Sequence, residues 1–582
     1  MKWAIALFSL TSSLAVAAPE VWTGDYVPPP EPVSGPLTVG AFVFPGWYRD
    51  TGRGDYPYRT HDEDSEWRLI ATCPAPRPLL GFYDDSLPEV NDWHIKWALD
   101  HGISFFAFDW YWNAGEHRLL RTLEQGFLQA RYAPQMKFCI HWCNHGLDWK
   151  DRPYNAPTDA DFQTPALVEM IEYCAERYFS RPNYLTVDGR PVFIVWDSRR
   201  LIAANGGPEG FRAALAAMNA VLAKRGIGEL YLVAIGDLQE TAAAGFSAMT
   251  DYGYYGTNFD SPYEWRGGYG VPYTAIMEFH ETAWRQRARA RLPYLLALGS
   301  NWDSRPRHGD AAVTVVGRTP ELFEQLCLQS LRHTPRGRRA PHLAIIEAWN
   351  EWGEGSFIEP DQQFGFAFLD VIRRVFAKAP ESHIDYVPAP ERVARLSLLQ
   401  GEELVRARAM ESQPYPDPPL ARRTTRWRVD RLLPPGPVLK RWEFTGGTEG
   451  WQPYHVTTLQ VRQGILIARV AEEDPQLIVD NVGVAIEDLQ CLALRTRVSP
   501  GIDLAQVYFS IVADPALSWD KSFTIPLRPD GLWHEYQIMR RPQGNWRGVL
   551  KLLRLDIGTP GDRIELDWVR LYGKSERGGG GL

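Results

Sequence analysis

The stretch His342-Leu-Ala-Ile-Ile-Glu-Ala-Trp-Asn-Glu-Trp-Gly-Glu-Gly-Ser-Phe-Ile-Glu-Pro360 begins as an apolar run and ends as a dense mixture of carboxylates and indoles. Leu343, Ile345 and Ile346 read as a buried strand. Side chains alternate along a strand, so Glu347, Trp349 and Glu351 are expected on one side. Gly353 and Gly355 then permit a tight turn that brings Glu354 back to the same mouth. Clustered carboxylates repel one another and cost stability unless something uses them. Beside indole faces they suit a sugar: apolar ring faces stack on Trp, hydroxyls bond to Asp, Glu and Asn, and a carboxyl pair cleaves the glycosidic bond. The plainer alternative is a Gly-rich loop whose acids pair with arginines.

Working outward, the same texture recurs. From about residue 37 to 385, apolar strand runs alternate with amphipathic helical segments. The strands are expected at Leu37–Trp47, Ser104–Trp112, Met136–Cys143, Pro191–Asp197, Leu230–Asp237, Ala248–Tyr255, Tyr294–Trp302 and His342–Asn350. Helices are expected at Val90–His101, His117–Ala130, Ala166–Tyr178, Pro208–Arg225, Tyr273–Arg287 and Pro320–His333, with a weak one around Gln239–Ala244. Thr319-Pro320-Glu321 is a helix start with a capping hydroxyl, Pro at the first helical position and an acid in the first turn. Eight near-continuous apolar strands with crossover helices imply an α/β fold, a (β/α)₈ TIM barrel. Barrel enzymes keep their chemistry at the C-terminal ends of the strands. Those ends read Trp47-Tyr48-Arg49-Asp50, Asp109-Trp110-Tyr111-Trp112, His141-Trp142-Cys143-Asn144, Trp196-Asp197, Asp237, Tyr252-Gly253-Tyr254-Tyr255 and Asn301-Trp302-Asp303.

Flanking the barrel, residues 1–18 carry one lysine, a short apolar core and an A-x-A site, the pattern of a secretory signal peptide. Residues 19–36 form a Pro-rich leader, expected to be extended and loosely held. Residues 386–436 read as a linker with one short helix near Val393–Met410. Residues 437–574 turn to short alternating strands with recurrent turn signals, an all-β jelly roll or sandwich. Its Trp442-Glu-Phe opening and Asp567-Trp-Val-Arg-Leu close resemble carbohydrate-binding jelly rolls, although an architectural role is equally open. Residues 575–582 are expected to be a disordered tail.

Net charge is −9 with no basic block, so nucleic acid and anionic membrane surfaces are poor partners. No later apolar run is long enough to span a bilayer. The chain has 23 tryptophans, more than core packing alone requires and the number a carbohydrate-binding protein would use. Six cysteines scattered over 582 residues do not form a disulfide framework. Cys139, His141, Cys143 and His145 alternate along one strand and are zinc-competent, but one strand cannot wrap a tetrahedron. No metal and no cofactor is therefore expected.

At the rim motifs a resemblance enters. Gly81-Phe-Tyr-Asp84, the run from Trp97 to Trp112, Asn301-Trp-Asp-Ser-Arg-Pro-Arg307 and Ala348-Trp-Asn-Glu-Trp-Gly-Glu-Gly355 resemble the WbsX-like proteins. These in turn resemble glycoside hydrolase family 99, the endo-mannosidases. The resemblance covers about residues 37–380. It implies that Glu351 and Glu354 are catalytic, Glu351 as the base toward the sugar's 2-hydroxyl and Glu354 as the general acid/base. Such a substrate-assisted retaining route requires O2 trans to the leaving group, which favours α-manno- and α-rhamno-configured sugars. The usual pattern Cys-x-Cys-Trp-Ala-Asn-Glu is altered here, with His145 standing where the glutamate is expected.

An exported glycoside hydrolase acting on a polysaccharide or glycan is the leading reading. A glycosyltransferase, the label often attached to WbsX-like proteins, and a non-catalytic sugar-binding protein are the alternatives. The expected substrate-binding residues are Trp47, Tyr48, Asp109, Trp110, Tyr111, Trp112, Trp142, Asn144, Tyr254, Asn301, Trp302, Asp303, Arg307, Glu347, Trp349, Asn350, Trp352 and Glu359. Glu354 should hold a proton, while Glu351 should stay ionised beside donors such as Asn301, Arg307 or Tyr254.

Overall fold

The computed structural model describes residues 19–574 except 49–64, 114–115, 145–158, 237–238, 254–267, 289, 310–311, 335–340, 381–382, 421–435, 473–474, 500–501, 503, 516, 518–520, 528–530, 540–547 and 559–560. The signal-peptide reading, the tail and the rim residues Arg49, Asp50, His145, Asp237, Tyr254 and Tyr255 lie outside the described residues. Contacts divide the described residues into two compact units, one reaching Leu420 and the other following it.

Eight strands organise the first unit: β1 Thr38–Val43, β2 Ile103–Asn113, β3 Lys137–Trp142, β4 Arg190–Val195, β5 Tyr231–Ile235, β6 Ala248–Thr250, β7 Leu296–Gly299 and β8 Leu343–Glu347. They pair in parallel in the order β7-β8-β1-β2-β3-β4-β5-β6. A parallel bridge between Met249 and Tyr294 joins β6 to the approach of β7. The Leu295 N–H donates to the Met249 carbonyl at 2.8 Å there, so the ring closes as a (β/α)₈ barrel. Every expected strand falls on one of these eight. Gly40 leaves the lumen open to the Phe105 ring, which a Cβ at that position would meet at 2.3 Å.

Helices cover the outside at Pro88–Asp100, Thr164–Cys174, Pro208–Lys224, Gln239–Ala244, Tyr273–Arg287, Pro320–Ser330 and Ala367–Ile372. Thr319 caps its helix by accepting from the Leu322 N–H. The expected helix His117–Ala130 is a misreading in part. Glu116–Arg118 folds back antiparallel onto β2, and a π turn at Thr122–Gly126 and a 3-10 turn at Phe127–Gln129 follow. The leader is clamped rather than loose. Tyr26 donates to Asp92 at 2.6 Å, Lys96 to the Pro29 carbonyl at 3.1 Å, and the Val33 N–H to the Leu99 carbonyl at 3.0 Å. These bonds help explain how Asp92 and Lys96 stay buried on the helix Pro88–Asp100. Beyond the barrel, Tyr386–Pro388 pairs in parallel with Glu20–Trp22, and two helices, Pro390–Leu396 and Gly401–Glu411, stand where one was expected.

The second unit is a β-sandwich of two six-stranded antiparallel sheets. Arg563–Gly573 is central to one, pairing with Leu489–Val498, Ile465–Val470 and Val438–Trp442. Val549–Ile557 is central to the other, between Leu504–Ile511 and Gln476–Val479. Trp442 and Trp451 lie in the shared core 5.8 Å apart, and Trp568 is buried under the Arg570 guanidinium. The opening and closing tryptophans are therefore packing residues and not exposed sugar platforms.

Candidate active site

At the C-terminal end of β8 the chain leaves the sheet at Glu347 and runs through two short paired segments, Asn350–Glu351 and Ser356–Phe357. Asn350 locks this excursion to the end of β1. Its side-chain amide accepts from the Phe44 N–H at 2.9 Å and donates to the Phe44 carbonyl at 3.0 Å. Gly355 turns the loop in the left-handed region at φ +66°, and a Cβ there would sit 2.6 Å from that of Asp303. Gly353 is needed for a different reason: a Cβ would meet the Glu66 carboxylate at 2.2 Å and the Arg307 Nε at 2.6 Å.

That close approach is the centre of the site. The buried Arg307 guanidinium donates from Nη1 to Glu354, from Nη2 to Glu351 at 3.2 Å, and from Nε and Nη2 to Glu66. Glu66 opens the short helix Trp67–Ala71 in the long β1-to-β2 connection. Three carboxylates thus share one arginine, and a single cation cannot offset three buried negative charges. Burial and neighbouring carboxylates accordingly raise the carboxyl pKa values. Burial and the charge of Glu66 lift Glu354 to about 7 against the pull of Arg307. Glu351 is raised well above its ordinary range by burial and by Glu354. Glu347, deeper on β8, is raised well above it by burial and Glu354, with Ser356 donating at 3.2 Å in the opposite sense.

Across the lumen, Asp109 on β2 accepts from the His141 Nδ1 at 2.7 Å and from the Tyr252 hydroxyl at 3.2 Å. Phe42 and Trp196 pack against the His141 and Tyr252 rings. Several buried polar atoms here have no protein partner: Glu347 Oε1, Glu354 Oε2, Asn301 Oδ1 and His141 Nε2. Buried polar atoms are almost always satisfied, so a group of orphans at a barrel mouth marks where a polar ligand binds.

Residues 72–372, just over half of the chain, match the family model described as Glycosyltransferase WbsX. The chain belongs to that family. It is also similar to the uncharacterized protein WxcX of Xanthomonas campestris pv. campestris, at 27% identity over 334 residues, 54% of this chain and 47% of the relative. The chain spans about half the length of the curated relatives it matches. Among solved structures it is similar to a glycoside hydrolase-like protein, with 17% identity and a TM-score of 0.43 over 60% of this chain and 98% of that one. Another is the glycoside hydrolase family 99 endo-α-mannosidase from Bacteroides thetaiotaomicron, with 15% identity and a TM-score of 0.39 over 58% and 95%. At these values the barrel rests on the strand order of the WbsX-family chain itself.

Several of the residues expected at the mouth of this WbsX-family barrel lie elsewhere. Phe106, Phe108, Trp110 and Trp112 share the outer face of β2, opposite Asp109. Trp110 and Trp112 stack on each other, and Tyr173 and Tyr178 pack against them. Trp142 packs outward on Phe162 and Phe193. Trp349 packs against His94 and Phe106 under the helix Pro88–Asp100, so it does not share a side with Glu347 and Glu351. Trp352 stacks on Phe357 at 3.8 Å and donates to Glu359 at 2.8 Å. Glu359 also accepts from Tyr83 and contacts the His94 Nε2, which makes it an anchor of the loop. Trp47 is buried on Trp67, and Tyr48 is buried with Arg121 over its ring.

Asp303 is bound in bidentate fashion by Arg305, and Asn144 ties the end of β3 to the Asp197 backbone. Asn350 and Asp303 therefore shape the mouth without facing it. Glu351, Glu354, Arg307, Glu347, Asp109 and Asn301 are brought together as expected. Tyr111 is buried at the end of β2, on the Asp109 face by alternation, and Trp302 is half-buried at the end of β7. Glu351, expected to stay ionised, has its carboxyl pushed well above the ordinary range by burial and then by Glu354, with Arg307 pulling the other way. Glu66 was not expected in the site, and His141 and Tyr252, although read at strand ends, were not among the expected substrate-binding residues. For His141 and Tyr252 the signal was present, since both stand at the C-terminal ends of expected strands.

Proposed function

We propose that this WbsX-family chain is an exported glycoside hydrolase that cleaves α-glycosidic bonds of a manno- or rhamno-configured glycan with Glu351 and Glu354. The observation that carries this reading is the carboxyl pair on Arg307 at the C-terminal mouth of the barrel, flanked by orphaned polar atoms of Glu347, Asn301 and His141. Glu354, lifted to about 7, is half-protonated near neutral pH and suits a general acid/base. To take the 2-hydroxyl proton Glu351 must be ionised. Arg307 Nη2 at 3.2 Å is the group that would hold the resulting charge. O2 then attacks the anomeric carbon while Glu354 gives its proton to the leaving oxygen; water reverses both transfers. Three carboxyls, Glu66, Glu351 and Glu354, share one arginine, and Glu347 and Asp109 add their charge beside them. A neutral glycan fits that balance, whereas a nucleotide-diphosphate donor, as the family's description suggests, adds negative charge to it.

The test is kcat/KM for Glu351→Gln and Glu354→Gln on an activated aryl glycoside and on an unactivated glycan. Loss of acid/base help costs about 10²–10⁴-fold, so Glu354→Gln should fail on the glycan and recover partly on the activated substrate. Glu351→Gln should fail on both. Near-wild-type turnover of the glycan by either variant would sink the assignment. Release of a nucleoside diphosphate instead of new reducing ends would establish the transferase reading.

A further inference from the structure

At the opposite end of the barrel a second group of side chains converges. His101 follows the helix Pro88–Asp100, two residues before β2; Asp370 lies on the helix Ala367–Ile372; His383 and Asp385 lead into Tyr386–Pro388. The His101 Nε2 is 3.1 Å from the His383 Nε2, 3.3 Å from an Asp385 oxygen and 3.6 Å from an Asp370 oxygen. The His383 Nε2 is 3.3 Å from the same Asp370 oxygen and 3.2 Å from the same Asp385 oxygen. The remaining pair of ligand atoms lies within 4.8 Å. The five closer separations match the edges of a regular tetrahedron whose centre lies about 2.0 Å from each corner, the Zn–N and Zn–O bond length.

We propose that His101, Asp370, His383 and Asp385 form a structural zinc site. The donor set is two imidazoles and two carboxylates, and the two aspartates carry the charge that neutralises one divalent ion. Hydrogen bonding already sets the tautomer of one ligand. The His101 Nδ1 donates to the Trp97 carbonyl at 2.7 Å, which leaves Nε2 as the nitrogen that a metal would take. The His101 ring is fixed further by stacking on Phe366, and the two imidazoles meet at 77°, so they aim at one point from different directions. His101 is fully buried, while the other three side chains are 9–14% exposed, which gives an ion its entry path. All four positions are filled by protein, so the site is closed and tethers the last barrel helix and the exit segment to the start of β2. That end of a barrel serves stability, whereas the opposite end serves chemistry.

The experiment uses the full chain purified without a polyhistidine tag, equilibrated with Zn²⁺ and freed of unbound ion. Elemental analysis should find one equivalent of zinc in the wild type and a loss of that equivalent in His383→Ala and in Asp370→Asn. Cobalt substitution of the wild type should give the intense visible bands of a tetrahedral centre, a readout that needs no folded variant. Chelation should lower the melting temperature by on the order of 5–10 °C, restored by Zn²⁺. Less than a tenth of an equivalent in the wild type, an octahedral cobalt spectrum, or retention of zinc in both variants would overturn the site. An unchanged melting temperature after the zinc has left would overturn its structural role.

Discussion

Arg307 holds Glu66, Glu351 and Glu354 at once, and this decides what its removal does. Arg307→Met leaves three buried carboxyls without their cation, a change that costs about 3–5 kcal/mol when a buried pair is broken. The carboxyls can escape by taking up protons, so the loss should be smaller in acid. Urea unfolding at pH 5 and pH 8 checks this, with the larger loss at pH 8; equal losses would mean that the guanidinium does not offset these charges. Glu354 makes a related prediction in the wild type. Its pKa is raised from 4.5 to about 7, so the folded chain binds that proton more tightly than the unfolded chain. The stability it contributes is present below about 4.5 and is lost as pH rises through about 7. Melting temperatures between pH 4.5 and 8 should fall more steeply in the wild type than in Glu354→Gln. At this scale the acids were legible because carboxylates stood at strand ends, and Arg307 because it closes the motif Asn301–Arg307 that carries the family resemblance. The indoles were misassigned although strand parity was available: Trp110 and Trp112 lie one and three residues beyond Asp109, on the opposite face. Glu66 was invisible because nothing in the sequence ties a long connection to the loop after β8.

Among the elements, the loop after β8 does the most to set the site. Its geometry depends on Gly355, whose backbone lies in the left-handed region and against Asp303. The Asp303 N–H donates to the Glu354 carbonyl at 2.5 Å, so pushing these segments apart unseats Glu354. Gly365 supplies the comparison, since it also has a positive φ of +56° but faces open space. Gly365→Ala should cost about 1–2 kcal/mol, the left-handed strain alone. Gly355→Ala should cost more and should reduce turnover as well. Equal urea midpoints for the two variants would remove the close-approach argument. The barrel strands were readable because parallel strands buried on both faces are continuous apolar runs. The segment 117–130 was misread because apolar spacing cannot register that Glu116–Arg118 folds back on Tyr111–Asn113. Edge strands such as Gln452–Tyr454 and Val484–Ala485 were missed because two or three residues carry no period.

For the whole molecule, the two units differ in how they hold themselves together. The barrel unit closes on itself through the Met249–Tyr294 bridge and carries its leader and exit strand as a parallel pair. The sandwich has a separate apolar core, from Trp442 and Phe444 through Leu494 and Phe509 to Leu566 and Leu571, drawn from both sheets. Its polar partners are also internal: Arg570 pairs with Glu443, Arg497 with Glu565 and Arg554 with Asp556. A unit with its own core and its own ion pairs satisfies what an independent domain requires, and at roughly 140 residues it lies within the usual size range. The fragment 436–574, expressed alone, should therefore be soluble, give a β-type circular dichroism spectrum and melt in one cooperative transition. Leu494→Ala tests whether that transition comes from the core in question. Truncating a fully buried leucine costs about 2–5 kcal/mol, which should lower the fragment's melting temperature by several degrees. A fragment that fails to melt cooperatively, or whose melting is indifferent to Leu494→Ala, would mean that the sandwich depends on the rest of the chain for its fold.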